Sequence, residues 1–274
     1  MKALLILLVS GAVLAQTPPP VKKAPATGAT GATGMMGAAK TASAAPSMIN
    51  PASLRAKAPD LFRVKFVTSH GDFVVEVHRD WAPLGADRFY NLVKARFFTG
   101  QAFYRFSPGF IVQFGIAAHP AVTAALANAK IKDDPVKESN KKGTFTFATS
   151  GKDSRTNDFF INLADNGSIL DSQGFSPLGT VTEGMDIVAG LYSGYGEMKE
   201  MNNSRGPSQT RAMNEGKAYL DKEFPKLDTI KSATVIFPEP AAPAATAPKK
   251  AATGATGSTG ATKSAPSPPP AKKQ

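Results

Sequence analysis

The sequence predicts a mainly β domain, folded as a closed barrel or a sandwich, between two low-complexity ends. Three observations indicate this class. Short apolar runs of strand length recur through the middle of the chain, turn residues separate them, and few helical patterns interrupt them. Many short strands joined by turns are typical of antiparallel barrels and sandwiches, whereas a parallel sheet needs helices between its strands.

The first predicted element is a hairpin. Phe62, Val64 and Phe66 alternate with polar residues, and a second apolar run at 73–77 follows a turn that contains Gly71. Apolar residues with a period of two on both sides of a glycine-containing turn are expected for two paired strands.

A helix is predicted to begin near Pro83, because proline suits the first turn of a helix. Its apolar residues have the helical spacing i, i+3, i+4 and i+8. They are Phe89, Leu92, Val93 and Phe97. Further helices are predicted at 185–192 and around 218–224. The remaining strand-like runs are 103–106, 109–114, 144–148, 159–163, 178–181 and 229–237.

Residues 1–15 have the layout of a secretory signal peptide. A single charge at Lys2 precedes an apolar run that ends on the small residue Ala15, directly before Gln16. A membrane anchor is the weaker alternative, because spanning takes about 20 apolar residues and the prolines from Pro18 onward stop this run. We therefore expect export to the periplasm or the extracellular space, with no transmembrane anchor after the signal is removed.

The two ends of the chain are low in complexity. Residues 16–60 and 238–274 consist mainly of Pro, Ala, Gly, Thr and Lys, so we expect a disordered linker and a disordered tail around a domain at 61–237. Both ends contain Gly-Ala-Thr repeats with the glycine period of collagen. The repeats are too short for a triple helix, so flexible spacers are favoured.

Most of the net charge lies in these ends. Residues 61–237 carry only +2 of the formal net charge of +11. We therefore expect no nucleic-acid binding, which would need a basic face on the folded domain. The lysines of the ends should contact anionic envelope polymers weakly and in a salt-dependent way.

The sequence lacks the common catalytic and metal-binding patterns. It contains no cysteine, and its three histidines, His70, His78 and His119, have no recognised ligand spacing. The Gly194–Gly196 pair lacks the third glycine of a dinucleotide-binding loop. We expect neither a metal nor a cofactor.

Two polar residues with long side chains lie among aromatic and aliphatic residues. Arg105 and Gln113 are eight positions apart, an even spacing that places both on one face of a continuous strand. Pro108 and Gly109 interrupt the run, so this spacing leaves open whether the two side chains line a cleft or face solvent.

The stretch from Phe103 to Gly115, which includes Arg105, Phe110 and Gln113, resembles the signature of the cyclophilins, the barrel-shaped peptidyl-prolyl cis-trans isomerases. Residues 143–148 and 156–161 resemble the second active-site segment of that family, and 170–188 resembles its closing strand and helix. The resemblance implies a closed eight-stranded antiparallel barrel capped by two helices. Residues 117–140 and 193–226 are insertions, and the second is expected to form a loop and a helix.

The resemblance also implies site residues and partners. Arg105 and Gln113 match the catalytic positions, and the substrate would be a proline-containing unfolded or flexible polypeptide bound by a monomer. The matching substrate-binding positions are Phe110, Ile111, Ala148, Phe160, Leu170 and Phe175.

Several positions depart from the family pattern. Ile111 replaces a usual methionine, Asp158 a common glutamine and Phe175 a frequent histidine, and no tryptophan is present near Leu170. We therefore keep two alternatives to an isomerase that assists the folding of exported polypeptides. One is a catalytically weak module that binds proline-containing segments in the envelope, and the other is a structural envelope protein whose ends matter more than its barrel.

Overall fold

The structure of the chain, a computed structural model, describes residues 49–201 and 204–238. The predicted signal peptide, most of the predicted linker and almost all of the predicted tail lie outside these residues. The described region is mainly β, with eight strands in one antiparallel sheet and six short helices. None of the described helices has the length and apolar character needed to cross a membrane.

The elements have the following bounds. The strands are β1 (Leu61–Thr68), β2 (Asp72–His78), β3 (Arg105–Ser107), β4 (Ile111–Phe114), β5 (Thr144–Phe147), β6 (Phe159–Asn162), β7 (Pro177–Glu183) and β8 (Ile230–Phe237). The helices are α1 (Pro83–Lys94), α2 (Pro120–Leu126), α3 (Gly167–Leu170), α4 (Met185–Gly190), α5 (Gln209–Glu215) and α6 (Lys217–Glu223). The strands lie in the order β3-β4-β6-β5-β7-β2-β1-β8 in the sheet.

Most of the predicted elements are present. The first hairpin is confirmed, because β1 and β2 pair with Phe66 opposite Phe73. Strand β4 begins at Ile111 and not at residue 109, because Gly109, with a φ of +70°, lies in the turn that follows β3. Helices α2, α3 and α5 were not predicted.

The expectation of a closed barrel is wrong. In the described residues no ladder joins the edge strands β3 and β8, and an isolated bridge between Ala102 and Thr229 lies between these edges. Strand β3 has only three residues, and its Phe106 N–H donates to the carbonyl oxygen of Gly196 at 3.1 Å. The insertion that follows α4 therefore takes a donor that a closing strand would need.

Phenylalanine rings fill the main core. Phe66 of β1 stacks on Phe73 of β2 with ring centroids 4.8 Å apart, and Phe89 of α1 packs edge-on against Phe145 of β5 at 4.8 Å. Buried aromatic pairs contribute about 0.5–1.5 kcal/mol each beyond the area that they bury. Helix α1 thus packs against strands that lie far apart in the sheet, and all of them share one core.

Strand β4 is buried on both faces, which explains why its sequence shows no alternation. All four of its residues are buried. Val112 and Phe114 belong to the phenylalanine core, whereas Ile111 belongs to a second apolar cluster with residues of the insertion such as Met198 and Leu220. Since successive side chains of a strand point to opposite faces, the second cluster covers the other face of the sheet.

Residues 49–60, which the sequence assigned to the disordered linker, pack against α1. Ile49 and Ala58 are buried. Asn91 of α1 binds Ala56 in both directions, with Nδ2 donating to the carbonyl oxygen at 2.7 Å and Oδ1 accepting from the backbone N–H at 3.1 Å. The packed region therefore includes residues ahead of the expected boundary at residue 61.

We predict that Asn91→Ala loosens the 49–58 segment. The substitution removes both hydrogen bonds to Ala56 and leaves that backbone unpaired, which should lower the free energy of unfolding by about 1–3 kcal/mol. Limited proteolysis should then cut within 49–58, where the unmodified protein resists, and the fragments can be identified by mass spectrometry. Lys94→Ala, an exposed change at the end of the same helix, is the control, and equal protection of 49–58 in both variants would contradict the prediction.

Candidate active site

One row of side chains crosses four neighbouring strands. Arg105 of β3 lies opposite Gln113 of β4, Gln113 lies opposite Phe160 of β6, and Phe160 lies opposite Thr146 of β5. Directly opposed residues of antiparallel strands have their side chains on the same face. Cross-strand pairing, and not alternation along one strand, therefore places Arg105 beside Gln113.

A chain of hydrogen bonds orients the arginine. Arg105 Nη1 donates to Gln113 Oε1 at 2.9 Å, which directs the Gln113 Nε2 group toward Asp158 Oδ2, 2.9 Å away. The Tyr104 hydroxyl donates to the same carboxyl oxygen at 2.6 Å. Asp158 thus acts on the arginine through Gln113.

All eight residues predicted from the sequence line a single cavity on this face of the sheet. The space between their side chains is about 10 Å³, which is about the volume that one water molecule needs. Its lining is apolar except for Arg105 and Gln113. The full lining is Arg105, Phe110, Ile111, Gln113, Ala148, Phe160, Leu170 and Phe175.

A buried amide network holds two walls of this cavity. Asn166 Nδ2 donates to the carbonyl oxygen of Phe110 at 2.8 Å, and Asn140 Nδ2 donates to that of Phe175 at 2.8 Å. Asn162 connects the two amides, because its Nδ2 donates to Asn140 and its Oδ1 accepts from Asn166. Each buried amide therefore has partners, as buried polar groups require, and the network fixes the backbone of Phe110 and Phe175.

The structure separates the roles of two neighbouring residues at the cavity edge. Leu170 is only 1% exposed and lines the cavity, whereas Ile169 is 42% exposed and lies outside it. Leu170, the residue that the family resemblance implied, is therefore the one of the pair that lines the cavity.

The insertion supplies a residue at the site that the sequence analysis missed. Glu197 forms an ion pair with Arg105, in which Nε donates to Oε1 and Nη2 donates to Oε2 at 3.0 Å. No spacing or motif marks Glu197 in the sequence, and only its position inside an insertion relative to the family pattern was a signal.

A second, more polar cavity adjoins the first and shares Ala148 with it. It measures about 40 Å³, and small polar residues such as Thr149 and Thr156 form part of its wall. Gln209 and Met213 of α5 line it from the insertion side. In the described residues no group of three acidic or histidine side chains is placed to hold a metal ion.

Asp158 has an unusual electrostatic environment. Burial raises the pKa of its carboxyl to about 6, although hydrogen bonds from Tyr104 and Gln113 act in the opposite direction. Its second oxygen, Oδ1, is buried without a hydrogen-bond partner in the described residues. The folded protein therefore favours the protonated acid more strongly than the unfolded chain does.

We predict that this carboxyl makes the unmodified protein less stable as the pH rises. The difference between the ordinary pKa of 3.8 and the folded-state pKa of about 6 corresponds to about 3 kcal/mol. Because the folded state holds the proton more tightly, the Asp158 carboxyl adds to the free energy of unfolding below pH 3.8. This added stability is lost as the pH rises through 6. Denaturant unfolding of the unmodified protein and Asp158→Asn between pH 4 and 7 should show this loss only in the former.

Asp171→Asn is the control, because the carboxyl of Asp171 should change stability with pH in the opposite direction. Burial opposes ionisation of Asp171, but hydrogen bonds from Ser139 and Asn140 outweigh it and lower the pKa of this carboxyl. The contribution of Asp171 is therefore lost as the pH falls. Identical pH profiles for the unmodified protein and Asp158→Asn would contradict the assignment.

Comparison with known proteins identifies the family. Residues 63–214 match the family model described as cyclophilin type peptidyl-prolyl cis-trans isomerase/CLD. The matched residues extend from β1 to α5 and include every residue that lines the apolar cavity.

Three curated bacterial relatives are peptidyl-prolyl cis-trans isomerases. The protein of Acinetobacter baylyi is 36% identical over 130 residues, which cover 46% of this chain and 69% of the relative. Isomerase A of Dickeya dadantii is 34% identical over 134 residues, covering 45% of this chain and 67% of the relative. Isomerase B of Escherichia coli is 32% identical over 133 residues, covering 46% of this chain and 80% of the relative. The chain therefore belongs to the cyclophilin-type peptidyl-prolyl cis-trans isomerases, a family that acts on proline-containing peptides.

Proposed function

We propose that this isomerase accelerates rotation about X–Pro bonds in exported polypeptides, with Arg105 as the group that stabilises the rotating bond. The single observation that carries the assignment of residues is the pairing of Arg105 with Gln113 at the edge of an otherwise apolar cavity. A permanent positive charge beside apolar walls suits a substrate that combines a pyrrolidine ring with polar amide groups.

The chemistry needs no covalent step. Amide conjugation opposes rotation about the X–Pro bond by roughly 18–20 kcal/mol, so the uncatalysed exchange takes tens to hundreds of seconds. The twisted amide has a pyramidal prolyl nitrogen with a localised lone pair. A guanidinium directed at that nitrogen stabilises the twisted form more than either planar isomer, which lowers the barrier.

The other cavity residues bind and orient the substrate in this proposal. Gln113 holds the guanidinium in position through Oε1, while its Nε2 group is bound to Asp158. The pyrrolidine ring lies against Phe110, Ile111, Phe160 and Leu170, with Ala148 and Phe175 completing the walls. The adjoining polar cavity takes a neighbouring residue of the peptide, because the two cavities share Ala148.

One observation favours the alternative of a catalytically weak binding module. In this structure Arg105 is 1% exposed and its guanidinium is paired with Glu197. An isomerase with this site must therefore free Arg105 from Glu197, whereas a weak module would keep the two paired through most encounters. Measured turnover distinguishes the two.

Arg105→Lys should lower kcat/KM about 30- to 1,000-fold in a proline-isomerisation assay on a short Ala–Pro peptide. Lysine keeps the positive charge but lacks the planar fork of donors, and the loss of a transition-state contact of this kind costs roughly 2–4 kcal/mol.

Arg155→Lys is the matched control. Arg155 is also a buried arginine in an ion pair, with Asp134, but it does not line the apolar cavity. We expect its kcat/KM to stay close to that of the unmodified protein when both variants are folded. Undiminished activity of Arg105→Lys would overturn the proposed role of Arg105.

The proposal places the enzyme outside the cytoplasm, in the periplasm or the extracellular medium. Its support is the signal-like layout of residues 1–15 and the low-complexity character of both ends. The protein purified from cell-envelope and culture fractions of the native host should begin at Gln16. A chain that retains residues 1–15 and remains in the cytoplasm would contradict export and leave the isomerase assignment unaffected.

A further inference from the structure

Three of the five N–H donors of the Arg105 guanidinium are engaged in the free protein. Nη1 donates to Gln113 Oε1 at 2.9 Å, and Nε and Nη2 donate to the two carboxyl oxygens of Glu197. A guanidinium has five N–H donors, and the Nε–Nη2 side is the fork that binds a carboxylate through two parallel bonds. Glu197 thus fills the strongest hydrogen-bonding edge of the proposed catalytic residue.

Glu197 lies within reach of solvent although its partner does not. The side chain of Glu197 is 23% exposed, against 1% for Arg105. The carboxylate therefore covers the arginine from the outside of the molecule, and it can regain hydration by rotating outward. Arg105 cannot do the same without leaving its position between Gln113 and the apolar walls.

The backbone around Glu197 is fixed on both sides. The preceding residue, Gly196, has a φ of +69°, which favours glycine, and its carbonyl oxygen accepts from Phe106 N–H at 3.1 Å. The following residue, Met198, is buried in the second apolar cluster. Ser204 Oγ donates to the carbonyl oxygen of Met198 at 2.8 Å. Glu197 Oε1 also accepts from the backbone N–H of Met198 at 3.1 Å. These contacts direct the Glu197 side chain toward Arg105, and its release requires rotation about its own torsions and loss of the bond to Met198.

We propose that Glu197 is a built-in competitor of the substrate, which must release Arg105 before an X–Pro peptide binds productively. Its carboxylate takes the donors that a peptide carbonyl and the prolyl nitrogen need, so the free enzyme is held in a closed, weakly active state. The inference rests on the isomerase activity and on the role proposed for Arg105, and it adds a regulatory contact that belongs to the insertion.

A bound peptide can replace the Glu197 carboxylate as the hydrogen-bond partner of Arg105. Arg105 is buried and always charged, so losing the carboxylate without a replacement would leave an uncompensated charge. A bound peptide supplies carbonyl acceptors for the guanidinium and an apolar ring for the cavity, while Glu197 turns into water. A peptide able to do both displaces the carboxylate, whereas a polypeptide without an accessible proline does not.

A positioning role for Glu197 would have a different kinetic signature. If the carboxylate fixed the guanidinium for catalysis, removing it would lower kcat. If it competes with the substrate, removing it lowers KM and the dissociation constant of a proline peptide without lowering kcat.

The test uses the full-length protein, a tetrapeptide with one Ala–Pro bond, and the variants Glu197→Gln and Glu215→Gln. Glu215→Gln is the matched control, because Glu215 belongs to the same insertion but is exposed and pairs with Arg211. We expect Glu197→Gln to raise kcat/KM about tenfold, as when roughly nine molecules in ten are closed, and Glu215→Gln to leave it unchanged. Equal or lower kcat/KM in folded Glu197→Gln, with active unmodified protein, would overturn the inference.

A second measurement decides the matter even if Glu197→Gln does not fold. The NMR signal of the Arg105 Nε–H group in the unmodified protein should shift when the tetrapeptide is titrated to saturation, because its acceptor changes from a carboxylate to an amide. An unchanged signal at saturation would overturn the competition. Absence of turnover in both the unmodified protein and folded Glu197→Gln would instead refute the proposed function itself.

Discussion

The site depends on one constraint, which is that the permanently charged guanidinium of Arg105 lies where water does not reach it. A buried charge of this kind must be paired and hydrogen-bonded. Three residues meet that requirement. Gln113 binds one edge of the guanidinium, Asp158 orients Gln113, and Glu197 binds the other edge of the guanidinium. Asp158 lies in the same water-excluded surroundings, and its own burial raises the pKa of its carboxyl to about 6, although the charge of Arg105 acts in the opposite direction.

The insertion explains why those surroundings exist. A sheet with one face on the core normally leaves the other face to solvent, and a groove there would be open. Here Met198, Met201 and Leu220 of the insertion form a second apolar cluster over that face, against Ile111 and Phe160 of the sheet. The same segment supplies the acceptor for Phe106 at the edge of β3. Covering the site and leaving the sheet open at β3 are thus two consequences of one chain segment.

Much of the fold and most of the cavity were predictable. The hairpin of β1 and β2 and the start of α1 were visible because local periodicity and proline placement mark them. The eight cavity residues were predicted through family resemblance, and the structure places them together. Closure of the barrel was predicted wrongly, because whether two edge strands pair depends on what else binds their backbone. The packing of residues 49–60 against α1 was not predicted, because nothing in the sequence of this Pro- and Ala-containing segment indicates its contact with Asn91.

The sequence by itself determined the strand pattern, the apolar and aromatic content of the core, and the residue types needed at the site, because these depend on local periodicity and side-chain chemistry. Only the tertiary structure decided that Arg105 faces Gln113 across a hairpin and that Glu197 pairs with Arg105. The positions of Arg105 and Glu197 differ by 92 residues. No local pattern encodes a contact at that separation, since it arises from the path of an insertion and from the need of a buried charge for a partner.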